Sequence, residues 1–150
     1  MHRLYDAGHA VPSARRFIPQ SNFLAVGARL LFPDRRIQHA GIVHGYYRGL
    51  AGPAFKLAPE WDNGYLSYAR VARDYSAVTA ACMLTPRRTF LEVGGFDEVH
   101  FEVAYNDVDY CLNVVSSGKR VVYTPYAEHY HHESVSRVGG FRPEELEEFK

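Results

Sequence analysis

The stretch from residue 105 to residue 125 constrains the fold most, because it predicts a helix followed almost at once by a strand. Apolar residues recur there at the i, i+3, i+4 and i+7 spacing of one helix face: Val108, Cys111, Leu112 and Val115. Gly118 supplies a C-terminal stop for this helix. Residues 119–125, "KRVVYTP", then predict a strand ended by proline. Strands alternating with short helices favour an α/β fold.

Three earlier segments predict further strands of the same sheet. Residues 23–32, "FLAVGARLLF", and residues 37–45, "IQHAGIVHG", predict the two strands of a hairpin around the turn "PDRR". Residues 75–85, "YSAVTAACMLT", predict a strand covered on both faces. Residues 44–65 are rich in glycine, proline and aromatic residues, so we expect a long irregular loop there.

Two more helices are indicated by their end signals. For residues 86–93, "PRRTFLEV", Thr85 is the expected N-cap, Pro86 fits the first helical position, and Gly94 follows the last helical residue. The last ten residues, "FRPEELEEFK", predict a helix that opens at Pro143 and runs to Lys150. We therefore expect one α/β domain that is too small to be a complete doubly wound domain and looks truncated.

Composition narrows the class of protein. With 150 residues and 47% hydrophobic residues, the chain can bury one core. Its 17 basic and 17 acidic residues give no net field, which disfavours a nucleic-acid partner. No apolar run approaches the roughly 18 to 20 residues of a membrane span, and no signal peptide is apparent, so a soluble, cytoplasmic protein is expected. Cys82 and Cys111 lie in predicted buried elements and are expected to be free.

The motif "YNDVDYC", residues 105–111, leaves three interpretations open. Asn106 or Asp107 could cap the helix N-terminus, where acidic groups also favour the helix dipole. Asp107 could instead point outward as a general base while Asp109 orients partners. Both carboxylates could chelate a divalent metal. Asp107 and Asp109 are two positions apart, so on a helix they lie about 200° apart around the axis, which disfavours shared chelation.

A histidine cluster follows the last predicted strand. The segment "EHYHHES", residues 128–134, contains His129, His131 and His132. On an extended strand His129 and His131 share one face, and such a pair could hold a transition metal. A single histidine could also complete a carboxylate-held metal site, and ordinary polar packing is the third interpretation.

The segment "VGGFDE", residues 93–98, could line a site. Gly94 can end the preceding helix, and Gly95 allows a tight turn or the close approach of a ligand. Asp97 and Glu98 then follow as candidate polar contacts. A simple turn is the alternative interpretation.

Taken in order, four segments resemble the C-terminal half of a family 2, GT-A-fold glycosyltransferase. They are "VGARLLFPDRRIQHAGIVHG", "YSAVTAACMLTPRRTFLEVGGFDE", "YNDVDYCLNVVSSGKRVVYTPYAEHYHHES" and "SRVGG". The resemblance covers roughly residues 25–140 and is closest to the bacterial branch of rhamnosyl-type, O-antigen and other cell-surface polysaccharide transfer. It implies that residues 1–150 form a single domain: the acceptor-side part of a Rossmann-like GT-A fold, with a mixed sheet and short helices. The N-terminal nucleotide-binding half of that fold has no counterpart here.

The resemblance implies an inverting transfer of a sugar from a nucleoside-diphosphate donor to a hydroxyl of a saccharide or lipid-linked acceptor, assisted by Mg²⁺ or Mn²⁺. Asp107 would be the base that takes the proton of the acceptor hydroxyl. His131, with His132 as the alternative, would be the metal ligand. The residues that would line the substrate site are Gly94, Gly95, Asp97, Glu98 and Asp109.

The same resemblance implies a cytoplasmic location, at the inner face of the membrane through the full-length protein, and an isolated chain that is inactive. An incomplete sheet would also favour self-association through its exposed edge. Two other classes of function stay open. One is a non-catalytic metal-binding or scaffold module whose histidine cluster holds zinc. The other is a hydrolase with Asp107 and Asp97 as paired carboxylates. Where the branch commonly has arginine in its helix, this chain has Asn113.

Overall fold

The computed structural model describes residues 23–46, 50–102 and 104–132. Within these ranges the strands are β1 (Phe23–Leu31), β2 (Ile37–His39), β3 (Ile42–Gly45), β4 (Leu50–Pro53), β5 (Arg73–Asp74), β6 (Met83–Leu84) and β7 (Arg120–Tyr130). The α-helices are α1 (Arg87–Glu92) and α2 (Asn106–Ser116), and short 3₁₀ turns cover Tyr65–Ser67 and Ala80–Cys82.

A mixed sheet is built around β1. Its strand order is β2-β1-β7-β5, and β6 also pairs with β1. β1 and β7 run parallel, whereas β2 and β6 pair with β1, and β5 pairs with β7, in the antiparallel direction. β3 and β4 form a separate two-stranded antiparallel sheet. The expected mixed sheet with short helices is therefore confirmed as an α/β arrangement.

Helix α2 covers the sheet, as its apolar spacing predicted, but its buried face is rotated. Val108 and Cys111 are buried as expected, whereas Val115 is 44% exposed. Tyr110 and Val114 are fully buried instead. Tyr110 can be buried because its hydroxyl forms a 2.6 Å hydrogen bond with the hydroxyl of Thr85.

The helix starts differ from the predicted caps. α2 begins at Asn106 after Tyr105, which adopts a left-handed conformation (φ 61°), and no side chain caps the helix, so the assignment of Asn106 as the cap is wrong. α1 begins at Arg87 with Pro86 as N-cap, one residue later than predicted. The hydroxyl of Thr85 is engaged by Tyr110 rather than by the helix start. The predicted stop at Gly94 is confirmed by its positive φ of 93°.

Two of the predicted strands are broken by turns. Residues 75–85 are not one strand, because Thr79 caps a 3₁₀ turn by accepting a hydrogen bond from the N–H of Ala81. Within this segment only Met83–Leu84 (β6) forms a strand, and Ala77 makes an isolated bridge to Ile42. The segment 37–45 splits into β2 and β3 at Gly41, whose φ of 98° is incompatible with a continuous strand. The predicted loop at 44–65 contains β4.

β7 continues past the proline that was expected to end it. Ala28 of β1 pairs with Thr124, but the next residue, Arg29, pairs with Glu128, so the register jumps across three residues of β7. Pro125 lies in this irregularity, where the missing N–H of proline breaks no ladder hydrogen bond. The strand therefore runs on to the histidine cluster. The predicted helix at residues 143–150 lies outside the described residues.

The register jump places a buried guanidinium inside the fold. Arg29 is 1% exposed and forms a 2.6 Å ion pair with Glu128. Its second terminal nitrogen donates a 2.6 Å hydrogen bond to the backbone carbonyl of Glu60, whose carboxylate pairs with Arg35. Arg29 thus joins β1, β7 and the segment that follows β4.

Cys82 and Cys111 are both free thiols; Cys111 is buried as expected, whereas Cys82 is only half-buried. Burial raises the pKa of the Cys111 thiol to about 12, so it acts as a small apolar group rather than a nucleophile. In the part of the chain that the structure describes, neither α-helix has the length and hydrophobicity that crossing a bilayer requires.

We expect His39 to make the stability of this fold dependent on pH. Its ring is buried, Nδ1 lies 2.9 Å from the carbonyl of Ala28, and Nε2 accepts a hydrogen bond from the N–H of Thr79. Because Nε2 accepts, Nδ1 carries the proton and the ring is neutral. Burial lowers the pKa of His39 to about 4, against 6.5 for an unperturbed histidine.

We expect the neutral ring of His39 to favour the folded state fully above about pH 6.5, and this contribution to be lost as the pH falls toward 4. The free energy of unfolding should fall by up to about 3 kcal/mol across that window. Urea unfolding at several pH values measures it, and His39→Gln should show a flatter profile. An equally steep profile in the variant would assign the pH dependence to other groups.

Candidate functional site

The first turn of α2 sends two carboxylates to different sides of the helix. Tyr105, in its left-handed conformation, turns the chain into the helix immediately before Asp107. Asp107 lines one hollow, and Asp109 lines another. This agrees with the predicted angular separation and gives no support to chelation of one ion by both carboxylates.

The Asp107 hollow has a volume of about 180 Å³ and is mostly apolar. Its lining residues are Ile42, Ala51, Gly52, Pro53, Ala104, Tyr105, Asp107 and Val108. One carboxylate oxygen of Asp107 accepts a 3.0 Å hydrogen bond from the N–H of Ala80, and the other accepts a 2.9 Å hydrogen bond from the N–H of Val108. The 3₁₀ turn that breaks the predicted strand at 75–85 is thus the element that holds Asp107 in place.

This arrangement suits an oriented proton acceptor. The carboxylate of Asp107 is half-buried and fixed by two main-chain donors, so little reorganisation is needed when a ligand arrives. Each of its oxygens has a second acceptor position, which leaves capacity for a hydroxyl group that enters the hollow. Sequence reasoning did not identify Ala80 as a partner, because main-chain donors leave no residue-type signal.

The second hollow is a larger cleft of about 500 Å³ between the end of α1 and α2. All five residues predicted to line a substrate site surround it: Gly94, Gly95, Asp97, Glu98 and Asp109. Their remaining neighbours in the cleft are Val93, Phe96, Val99 and Asn113. The structure therefore brings the predicted group together, and its role in substrate binding stays a prediction.

Two carboxyl groups of this cleft have opposite pKa shifts. Burial raises the pKa of Asp109, and the nearby charge of Asp97 raises it further. The pKa of Asp97 is lowered, chiefly by the backbone N–H and then by the ring of His100. Asp97 also accepts a 2.9 Å hydrogen bond from the N–H of Val99, so its carboxylate organises the turn that borders the cleft.

Asn113 helps to hold Asp109. Its side-chain amide donates a 3.1 Å hydrogen bond to the Asp109 carboxylate. The two residues are one helical turn apart, a spacing that brings side chains together on a helix surface. Because Asp109 was predicted to line the site, the four-residue spacing could have identified Asn113 as a further lining residue from the sequence.

The predicted metal ligands lie at the end of β7. His131 Nδ1 is 2.8 Å from the side-chain carbonyl of Gln38, and the His131 N–H donates a 2.9 Å hydrogen bond to the carbonyl of Leu31. His132 is exposed. Among the residues described, no group of three or more histidine, cysteine, aspartate or glutamate side chains could hold a metal ion. Metal binding therefore stays a prediction, and a zinc-holding module gains no support.

The paired carboxylates required by a hydrolase are not brought together. Asp107 lines the smaller hollow, whereas Asp97 lines the larger cleft and caps its own turn. Two carboxylates that flank one glycosidic bond must face the same cleft. The arrangement gives no support to this interpretation.

Comparisons with known proteins found several relatives. The chain is 46% identical over 125 residues to the uncharacterized protein y4gI of Sinorhizobium fredii, covering 83% of this chain and 14% of the relative. It is 40% identical over 121 residues to the O-antigen biosynthesis protein RfbC of Myxococcus xanthus, covering 80% of this chain and 9% of the relative. It is 31% identical over 108 residues to an N-acetylglucosaminyl-diphospho-decaprenol L-rhamnosyltransferase of Mycobacterium tuberculosis, covering 71% and 34%.

The chain thus spans between 9% and 34% of the length of these curated relatives. No protein-family model matches it. The names of the Myxococcus and Mycobacterium relatives agree with the resemblance to glycosyltransferases drawn from the sequence motifs.

The two glycines of the cleft provide a matched pair of variants. Both have positive φ, 93° for Gly94 and 73° for Gly95, which costs an L-residue roughly 1–2 kcal/mol. A Cβ at Gly94 would meet no atom within 4 Å, whereas a Cβ at Gly95 would lie 2.9 Å from the ring of Phe90. That ring packs against Phe96 and Tyr110, with centroids 5.1 and 5.3 Å away, so it cannot move freely.

We therefore expect Gly95→Ala to destabilise the protein more than Gly94→Ala, by about 1 kcal/mol or more, because only the first forces the aromatic cluster to shift. Chemical unfolding of both variants measures the difference. Equal unfolding free energies would show that the Phe90 ring can shift to make room for the added Cβ without destabilising the protein.

Proposed function

We propose that this chain forms the acceptor-side part of an inverting glycosyltransferase with a GT-A fold, acting in bacterial cell-surface polysaccharide synthesis. The observation that carries the proposal is the Asp107 carboxylate, which is fixed by the N–H groups of Ala80 and Val108 in a residue that lines a mostly apolar hollow. The motif order and the names of two relatives support the same class of enzyme. Donor and acceptor are a nucleoside-diphosphate sugar and a saccharide or lipid-linked hydroxyl.

In the proposed reaction, Asp107 acts as the general base. An acceptor hydroxyl placed in the hollow donates a hydrogen bond to the carboxylate of Asp107. As the acceptor oxygen forms its bond to the anomeric carbon, the bond from that carbon to the diphosphate oxygen breaks, and the hydroxyl proton passes to Asp107. Attack from the side opposite the leaving group inverts the configuration. An alcohol is a poor nucleophile at neutral pH, so a positioned carboxylate contributes directly to the rate.

The cleft on the other side of α2 fits the recognition of sugar hydroxyls. Asp97, Glu98 and Asp109 supply acceptors, and the amide of Asn113 holds Asp109 in place. Carboxylate oxygens accept hydrogen bonds from several hydroxyls at once, which fixes a saccharide in orientation. We assign this cleft to the part of the substrate that does not react.

His131 fits a divalent cation as a single protein ligand. Its Nδ1 is engaged by Gln38, which leaves Nε2 as the nitrogen that can bind an ion. Mg²⁺ and Mn²⁺ commonly take their other ligands from water and substrate phosphates, so one protein ligand in this region is compatible with such a site. A bound cation would supply charge stabilisation for the departing diphosphate.

Replacing Asp107 with asparagine tests the proposal, because asparagine keeps the size and one acceptor oxygen but cannot take the proton. We expect kcat for sugar transfer to fall by about 10²–10⁴ with little change in the unfolding midpoint. Nucleoside-diphosphate release is measured with a panel of nucleotide sugars and cell-surface saccharide acceptors, using the longest native polypeptide that contains these residues.

Asp109→Asn is the matched control, since Asp109 lies two residues away on the same helix and faces the other cleft. It should act mainly on KM for the saccharide. A wild-type kcat in Asp107→Asn would show that Asp107 is not the base. A larger loss of kcat in Asp109→Asn than in Asp107→Asn would assign the base to Asp109 and saccharide binding to Asp107.

A further inference from the structure

The geometry points to Gln38 as a positioning residue that holds His131 in the one tautomer able to present Nε2 to a divalent cation. This inference rests on the cation of the proposed function. Gln38 belongs to β2, at the edge of the sheet, and carries no role in the motifs that the sequence singles out. His131 directly follows the last residue of β7, two strands away.

Gln38 contacts His131 at two points. Its side-chain carbonyl oxygen lies 2.8 Å from Nδ1 of the ring, and its side-chain nitrogen donates a 3.4 Å hydrogen bond to the main-chain carbonyl of His131. Gln38 is only 8% exposed. A buried amide with both ends used on one neighbour is fixed in orientation, so His131 is held by its ring and by its backbone together.

The partners determine where the ring proton lies. The main-chain carbonyl of His131 only accepts, so the amide nitrogen of Gln38 faces it and the amide oxygen faces the ring. An amide oxygen also only accepts, so Nδ1 of His131 must donate. The neutral ring then carries its lone pair on Nε2.

A metal-ligating histidine requires this pattern, since the nitrogen opposite the metal normally donates its N–H to an acceptor that fixes the ring and raises its basicity. His131 shows the pattern and lies in a partly buried position. His132 is exposed, and the structure gives it no comparable contact within its described part. The contact with Gln38 therefore favours His131 over His132, the alternative metal ligand that the sequence left open.

The pairing of β2 with β1 fixes the main chain of Gln38. β2 pairs with β1 through Leu30 and His39, and through Leu31 and Ile37. The carbonyl of Leu31 accepts a hydrogen bond from the N–H of His131. The distance from Gln38 to His131 is thus set by the sheet rather than by a loop, which suits a site that must keep its geometry.

Two variants of Gln38 test the assignment. Gln38→Met keeps the length of the side chain but removes the acceptor, so His131 should revert toward the Nε2–H tautomer that a solvent-exposed histidine side chain favours. Gln38→Glu restores an acceptor for Nδ1–H and should keep the wild-type tautomer. Long-range ¹H–¹⁵N NMR of the histidine rings at constant pH reports the tautomer directly, and circular dichroism confirms that each variant is folded.

The second readout is binding of Mn²⁺, added alone and with inorganic pyrophosphate, which stands for the diphosphate shared by all nucleoside-diphosphate sugars. Paramagnetic broadening should affect the ring signals of His131 more than those of His132 in the wild type. Gln38→Met should require about 10- to 100-fold more Mn²⁺ for the same broadening, the usual effect of losing such a support. Gln38→Glu should stay close to the wild type. A merely structural role for Gln38 would change the unfolding midpoint but not these two readouts.

Three results would overturn the inference. One is an Nε2–H tautomer of His131 in the wild type, and another is equal Mn²⁺ broadening in the wild type and Gln38→Met. The third is broadening that spares His131 in every variant, which shows that this histidine is not a ligand. None of them bears on Asp107, whose role is decided by sugar transfer, so failure of this inference and failure of the proposed base can be told apart.

Discussion

The parallel pairing of β1 with β7 is the constraint on which the rest of the structure depends, and at its register jump the buried guanidinium of Arg29 pairs with the carboxylate of Glu128, whose side chain is 43% exposed. Arg29 is enclosed at the jump, where Glu128 and the carbonyl of Glu60 satisfy its terminal nitrogens. Its Nε is the one buried side-chain polar atom of the described residues that has no hydrogen-bond partner. Removing Glu128 would leave a buried charge without its partner, which is costly. The pair therefore ties the register of β7 to the segment after β4.

That register decides where the histidine cluster lies. Because three residues of β7 are accommodated in the irregularity around Pro125, the strand resumes with Glu128 beside Arg29 and ends where His131 meets Gln38 of β2. A strand that stopped at the proline would leave His131 away from the sheet. One sheet thus connects a buried guanidinium, a strand irregularity and an oriented imidazole.

The sequence predicted β1, the two helices and the groups around Gly94 and Asp107, because local spacing and turn residues determine those elements. It could not predict the continuation of β7, since a proline ends most strands and the compensating register jump depends on Arg29, about a hundred residues away in sequence. The strand predicted at 75–85 failed for a related reason. Its small apolar residues suit a buried strand, but hydrogen bonds at Thr79 bend it into a turn. Ala80 and Gln38 carry no motif, so only the folded geometry reveals them.

The left-handed conformation of Tyr105, just before α2, helps to explain how the first turn of this helix contributes a carboxylate to each of two hollows. Tyr105 has φ 61°, a conformation that costs a bulky L-residue roughly 1–2 kcal/mol and that burial of Val108 and Tyr110 on the same helix offsets. The sharp turn lets Asp107 reach the N–H of Ala80 while Asp109 stays in the polar cleft. Asp107 therefore satisfies the N–H of Val108 in the first turn of α2 and the N–H of Ala80 on one side of the helix, while Asp109 lines the cleft on the other.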